Sequence, residues 1–234
     1  MSLSLLTIDN HIIEIILRNI DEEYRLIVGL SCKELYKILK TLNPNEKLIG
    51  SLKYLTSNVN LLQYAHENDC PWSEKTCHDA AMYGHLECLK YAHENGCPWN
   101  HYTSESAAIN GHLECLKYLH ENGCPWSDVI CDYPTLNGHF ECLKYLHENG
   151  CPWSRFPCIF AAEKGYLDCL KYAHENGCPW GQQTCEWAAK NGHLECLKYC
   201  HENGCLWSVN TCNVAIMNGH LECLKYARDN GCPG

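Results

Sequence analysis

Positive charge is scarce in this chain. Eighteen Lys and Arg stand against 28 Asp and Glu in 234 residues, a formal net charge of −10. That field repels phosphate backbones and anionic lipid, which excludes nucleic acid and membrane surfaces as primary partners and leaves acidity as an aid to solubility. Long apolar runs are missing too. The most apolar stretch, near the N-terminus, is interrupted by Asp9, His11 and Glu14, too soon for a membrane span of about 20 residues. Met1–Leu6 carries no basic segment ahead of an apolar run, so no secretory signal is expected. There is no glycine-rich phosphate loop and no nucleophile elbow. Every His, Cys or Glu that could serve in catalysis recurs along the chain, whereas a catalytic constellation is a singular arrangement. Neither an enzymatic activity nor a cofactor is expected.

What the chain has in abundance is repetition. Cys70-Pro71-Trp72 returns at Cys97, Cys124, Cys151 and Cys178, then as Cys205-Leu206-Trp207 and Cys232-Pro233-Gly234, each 27 residues after the last. A fixed period without insertion or deletion is the signature of a solenoid, in which each unit buries its apolar face only against its neighbours.

Of the 20 cysteines, 18 sort by position in that period, all but Cys32 and Cys200. One class is that of Cys-Pro-Trp. A second is Cys77, Cys131, Cys158, Cys185 and Cys212, and a third Cys88, Cys115, Cys142, Cys169, Cys196 and Cys223. Equivalent positions in stacked helices lie roughly 8–10 Å apart, beyond the ~7 Å that a disulfide spans between Cα atoms. Reduced thiols packing as small apolar residues follow, in a cytoplasmic or nuclear protein. His85, Cys88, His93 and Cys97 are metal-ligand types at suggestive separations. On one helix, however, Cys88 and His93 point about 140° apart. That leaves only sites across repeats as an alternative.

Each unit reads as a helix-turn-helix pair. Thr76 is placed to cap a short helix through Cys77, Ala80 and Ala81 that ends at Gly84. A second helix runs from about His85 to Asn95 and closes at Gly96. Leu86, Cys88, Leu89, Tyr91 and Ala92 form its apolar face, and Glu87, Lys90 and Glu94 its wet one. Trp99, after the fixed φ of Pro98, is expected to fill the seam between pairs. The fold class is therefore all-α, an α-solenoid of stacked helix pairs.

Gly84-His85-Leu86-Glu87-x-x-Lys90 followed by Asn95-Gly96 resembles the second half of an ankyrin repeat, and Thr76 with Ala80-Ala81 resembles the first. The resemblance covers residues ~45–234 and recurs in register. It departs from the family in its period, 27 residues against 33. The missing residues fall between Trp99 and Thr103, where ankyrin repeats make a β-hairpin finger. The resemblance implies a shortened array that recognises a protein through helices rather than finger tips. His85 would be a hydrogen-bonding residue at the helix start.

Comparing units within the chain separates framework from recognition. The second helix is nearly copied: Gly-His-Leu-Glu-Cys-Leu-Lys-Tyr begins at Gly84, Gly111, Gly192 and Gly219, with Phe140, Tyr166 and Asp168 the small changes elsewhere. First-helix positions that face the concave side in ankyrin arrays differ from unit to unit. They are Asp79 and Tyr83, Ser106 and Asn110, Tyr133 and Asn137, Phe160 and Lys164, Trp187 and Asn191, and Val214 and Asn218. Tyr133, Phe160 and Trp187 put aromatic anchors at one position of three consecutive units, the composition hot spots favour. A solvated, drifting face is the plainer alternative. Arg155 and Phe156, or Gln182 and Gln183, vary alongside. Pro134 stands at an Ala position and Pro157 at the Thr position, which weakens or bends the helix starts there.

Residues 1–42 do not follow the repeat, and composition alone makes them a helical cap. The order from Leu6 to Ile20, then Leu26, Leu30 and Ser31-Cys32-Lys33-x-Leu35-Tyr36-x-x-Leu39, resembles an F-box. On that resemblance Leu6, Ile8, Ile12, Ile16 and Leu17 match the positions that dock on a Skp-type adaptor of a cullin-RING ubiquitin ligase. Thr7 stands where the family has proline. Residues 43–72 read as a linker broken by Pro44 plus a degenerate capping unit, and 73–234 as the 27-residue repeats. An F-box ahead of ankyrin-like repeats is similar to proteins of large DNA viruses of amoebae and of poxviruses, which would place the chain in a host cytoplasm. The expected partners are thus a protein target and a Skp-type adaptor. Two alternatives stay open: a sequestering module without a ligase link, and metal storage.

Overall fold

In the computed structural model, residues 59–67 and 73–233 are described, without the side chains of residues 61, 64 and 65. The F-box-like docking residues Leu6, Ile8, Ile12, Ile16 and Leu17, and most of the capping unit, lie outside the described residues. The backbone divides into two units. One is the described part of Met1–Ala80 with His85–Pro98; the other is Ala81–Gly84 with Trp99–Gly234. The first holds α1 (Val59–Glu67), the greater part of α2 (Glu74–Met82) and α3 (Leu86–Glu94).

The second unit is a run of helix pairs. Its first helices are α4 (His101–Ile109), α6 (Asp132–Asn137), α8 (Pro157–Lys164), α10 (Gln182–Lys190) and α12 (Val209–Met217). Their partners are α5 (Leu113–Glu121), α7 (Phe140–Glu148), α9 (Leu167–Glu175), α11 (Leu194–Glu202) and α13 (Leu221–Asp229). Each first helix packs on its own partner and on the first helix of the next pair, and each second helix on the next second helix. This is the stacked all-α solenoid read from the period, and the described residues contain no strand. Only residues 95–100 separate α3 from α4, too little chain length for a finger.

Local chemistry explains where the helices start, with one correction to the sequence reading. Thr76 is not the cap of α2 but its third residue; Ser73 N donates to Thr76 Oγ1 at 3.4 Å. In α4 the pairing is reciprocal: Tyr102 N donates to Asn100 Oδ1 at 3.0 Å, and Asn100 N to Thr103 Oγ1 at 3.4 Å. Ser208 and Thr211 repeat that box in α12. The threonine is fully buried in α2, α4, α10 and α12, so its hydroxyl ties down the turn without meeting water.

The prolines interrupt this scheme, as the sequence suggests. At the Thr position of α6 stands Ile130, which has no hydroxyl, and four residues on comes Pro134, whose ring would meet the Ile130 carbonyl. The chain answers with tight turns, Ile130 N to Ser127 O and Asp132 N to Val129 O, and the helix keeps six residues where α4 has nine. Pro157 becomes the first residue of α8, where its missing N–H has no intrahelical partner to lose.

Second helices end alike. In α5, Gly123 takes φ +78° and Cys124 N reaches back to Leu119 O at 2.8 Å, a closure only glycine adopts without strain. The core is a strip of Leu116, Leu119, Leu143, Leu146, Leu170 and Leu197, all fully buried, each worth roughly 1.5–3 kcal/mol of transfer free energy. Paired alanines, Ala107-Ala108, Ala161-Ala162 and Ala188-Ala189, are equally buried and let neighbouring first helices approach closely.

Candidate protein-binding surface

The second-helix layer satisfies its own side chains. Trp126, Trp153, Trp180 and Trp207 stack on His120, His147, His174 and His201, with centroids 4.2, 4.4, 3.6 and 4.5 Å apart. Each of those histidines puts Nδ1 within 2.9–3.0 Å of a tyrosine hydroxyl on the next second helix: Tyr145, Tyr172, Tyr199 and Tyr226. Trp153 Nε1 also donates to Asn176 O at 2.8 Å. Trp207, which follows Leu206 rather than proline, leaves its Nε1 buried with no partner. The tryptophan fills the seam as expected. The sequence reading missed that the histidine once weighed as a metal ligand holds the seam instead.

The Gly-His step is a second lock. His112 is a hydrogen-bonding residue at its helix start, as expected, but its partner lies outside that helix: Nε2 is 3.0 Å from Met82 O in the preceding pair. The ring occupies the space above Gly84, where an added Cβ would sit 2.5 Å from it. Gly111 under His139, Gly165 under His193 and Gly192 under His220 repeat the arrangement.

The thiols are all free and buried among the described residues, but they associate across classes. Cys77 Sγ approaches Cys97 O, and Cys158 Sγ approaches Cys178 O, both at 3.8 Å. Where α4 carries Ser104 instead of cysteine, its hydroxyl meets Cys124 Sγ at 3.2 Å. Burial, then the carboxylate beside each, pushes Cys88, Cys142, Cys196 and Cys223 up to about 11, so these are inert thiols rather than nucleophiles. Among the described residues no three His, Cys, Asp or Glu are arranged to hold a metal ion.

First helices divide between struts and free surface. Ser127 Oγ donates to Glu105 Oε1 at 2.7 Å, Ser154 Oγ to Asp132 Oδ1 at 2.6 Å, and Ser208 Oγ to Glu186 Oε1. These acids brace one pair against the next. Burial raises the Asp132 carboxyl, with the Ser154 bond opposing.

Asp79 and Ser106 are only 7 % exposed, and Asp79 faces His78 at 3.2 Å. Asn110, Asn137, Asn191 and Asn218 are exposed, but each Nδ2 donates to its own helix, to the carbonyls of Ser106, Tyr133, Trp187 and Val214 at 2.8–2.9 Å. Those bonds tie the first-helix C-termini, which explains why asparagine recurs there. Tyr83 and Val214 are half-buried.

Tyr133, Phe160 and Trp187 are half-buried on three successive first helices. Burial, with Glu105 and Asp132 nearby, raises the Tyr133 phenol. Phe160 stacks on Phe156 at 5.4 Å with the rings 12° apart, and the Arg155 guanidinium lies 4.7 Å over Phe156. Lys190 Nζ lies 4.2 Å over the Trp187 ring, while Lys164 pairs with Glu163 at 3.1 Å. Arg155, Phe156 and Lys190 thus join the surface without having been selected from sequence. The separations Phe156 to Phe160 and Trp187 to Lys190 are the i,i+4 and i,i+3 signals that could have found them.

Residues 104–147 and 185–230 match the family model described as ankyrin repeats (many copies). Among the solved structures that match, the crystal structure of the human ASB11 ankyrin repeat domain is similar to 67 % of this chain over 83 % of its own, with a TM-score of 0.59 and 21 % identity. No curated protein matches the chain. No helix among the described residues is long and apolar enough to cross a membrane.

Proposed function

We propose that this chain, which carries ankyrin repeats and is by that fold a protein–protein interaction module, holds a protein target on its first helices while its N-terminal segment docks on a Skp-type adaptor. The chain would then recruit that target to a cullin-RING ubiquitin ligase. The observation that carries the first half is the contrast between layers: second helices are copied and internally bonded, whereas first helices present Tyr133, Phe160 and Trp187 without a repeated partner scheme. Aromatic anchors ringed by polar side chains suit a hot spot. The second half rests on the F-box-like order of Leu6, Ile8, Ile12, Ile16 and Leu17. A reducing compartment, the host cytoplasm for a viral chain or the nucleus, suits the eighteen free thiols among the described residues.

Two experiments test this. Co-purification with a Skp-type adaptor is expected for the wild type and is lost when Ile12→Asp and Ile16→Asp are introduced; a wild type that never binds removes the ligase role and leaves a sequestering module. A pull-down of partners by the wild type is expected to fail with Tyr133→Ala, Phe160→Ala and Trp187→Ala combined. Undiminished capture by that triple variant would place recognition on another face.

A further inference from the structure

We infer that the part of this surface formed by α8 and α10 takes an acidic, aromatic-bearing peptide segment of its protein partner. The inference rests on the reading that first helices hold the target, and it adds the partner's chemistry.

Cations are distributed unevenly in the repeats. Second helices carry one lysine each at a fixed position: Lys90, Lys117, Lys144, Lys171, Lys198 and Lys225. From His101 onward, the first helices and the turns leading into them have only Arg155, Lys164 and Lys190. All three belong to two consecutive pairs, on α8, on α10 and just ahead of α8, and α8 packs directly on α10. In a chain of net charge −10 this is a local reversal of sign.

The acids of the same helices are already engaged, Glu163 with Lys164 and Glu186 with Ser208. Among the described residues no carboxylate lies within ion-pair distance of Arg155 or Lys190. Both cations instead lie over rings. A guanidinium 4.7 Å over the Phe156 ring, with no carboxylate in ion-pair distance, has N–H donors left to grip a carboxylate with two hydrogen bonds. Lys190 over Trp187 likewise directs ammonium donors away from the indole. Phe156, Phe160 and Trp187 give an apolar floor beside those donors, which suits a ring or long aliphatic side chain next to each acid. Three cations are too few for a polyphosphate track, whose affinity depends on many neutralised charges, so a peptide fits better than a nucleic acid.

The test uses the full chain and three fluorescent probes: a ten-residue peptide alternating Glu with Phe and Leu, its Lys-for-Glu counterpart, and an oligothymidylate. Fluorescence anisotropy is expected to show binding of the Glu peptide alone, weakened by salt and reduced about tenfold or more by Arg155→Glu with Lys190→Glu. Unchanged circular dichroism and melting temperature for that variant exclude unfolding. No binding of the Glu peptide, equal binding of the Lys peptide or oligothymidylate, or full affinity in the double variant each overturns the inference. Partner capture lost in the Tyr133, Phe160 and Trp187 alanine variant but kept in Arg155→Glu with Lys190→Glu overturns the acidic chemistry while leaving the face intact. Capture kept in both removes the face as well.

Discussion

The two helix layers of Trp99–Gly234 are built from the same 27-residue unit yet follow opposite rules. In the second-helix layer one solution is copied: tryptophan on histidine, histidine to the next tyrosine, glycine beneath the next histidine. A side chain whose partners lie in the adjacent pair must match them on both sides, so the sequence repeats. In the first-helix layer only the faces turned toward neighbours are fixed, by alanine pairs and by acid–serine struts. Positions turned outward have no such obligation, and there the residues differ. Uniformity marks where the array holds itself; variation falls where no neighbouring pair constrains the residue.

Variants can break this comparison. The largest effect is expected for Gly111→Ala, where φ +75° and an added Cβ 2.5 Å from the His139 ring combine; a loss of roughly 2–4 kcal/mol in urea unfolding follows from strain plus a displaced ring. Gly123→Ala, with φ +78° and open space around it, should lose only about 1 kcal/mol. Equal losses would mean that the Gly-His contact contributes nothing.

Alkali should act through the thiol strip. Cys88, Cys142, Cys196 and Cys223 have native values raised to about 11 by burial, above their ordinary one. Their contribution is therefore complete below roughly pH 8.5, the unfolded thiol value, and is lost as pH rises through about 11. Melting temperature should hold level between about pH 6 and 8 and fall beyond pH 9, and Cys142→Ala should shallow that fall. A slope indifferent to Cys142 would place the alkaline weakness elsewhere.

Tyr145→Phe keeps the ring and removes the hydroxyl facing His120, so about 1 kcal/mol should be lost in the same unfolding assay. Pro134→Ala restores the alanine of the other pairs; a gain of up to about 1 kcal/mol and more helical dichroism would identify that proline as the cause of the short α6. The smallest change in stability, under about 1 kcal/mol, is expected for Phe160→Ala or Trp187→Ala. Binding of the target should drop about tenfold or more in each. If either costs as much stability as Gly111→Ala, the contrast between layers fails.

Much of this was readable in advance. Helix pairs, a strip of leucine and alanine, reduced thiols and tryptophan at the seam all follow from period and punctuation, because each repeat is a local structure closed by its own glycine. Thr76 lies three residues beyond the cap position; a threonine at the third helical position and one at the cap leave the same mark in sequence. The asparagines at 110, 137, 191 and 218 looked free because a bond to the carbonyl four residues back leaves no trace in composition. Arg155, Phe156 and Lys190 stand out in sequence only as varying positions, because cation and ring act together only once the helix brings them onto one face.

By itself, then, the sequence determined the architecture of the described repeats: stacked helix pairs, their period and the layer in which they agree. It could do so because a solenoid needs only contacts between neighbouring units, and those contacts repeat with the period. Tertiary structure alone decided which polar groups are engaged. His112 reaching Met82 O, Ser154 reaching Asp132 and Tyr172 reaching His147 join residues 22–30 positions apart, and a hydrogen bond exists only when stacking brings donor and acceptor to within about 3 Å.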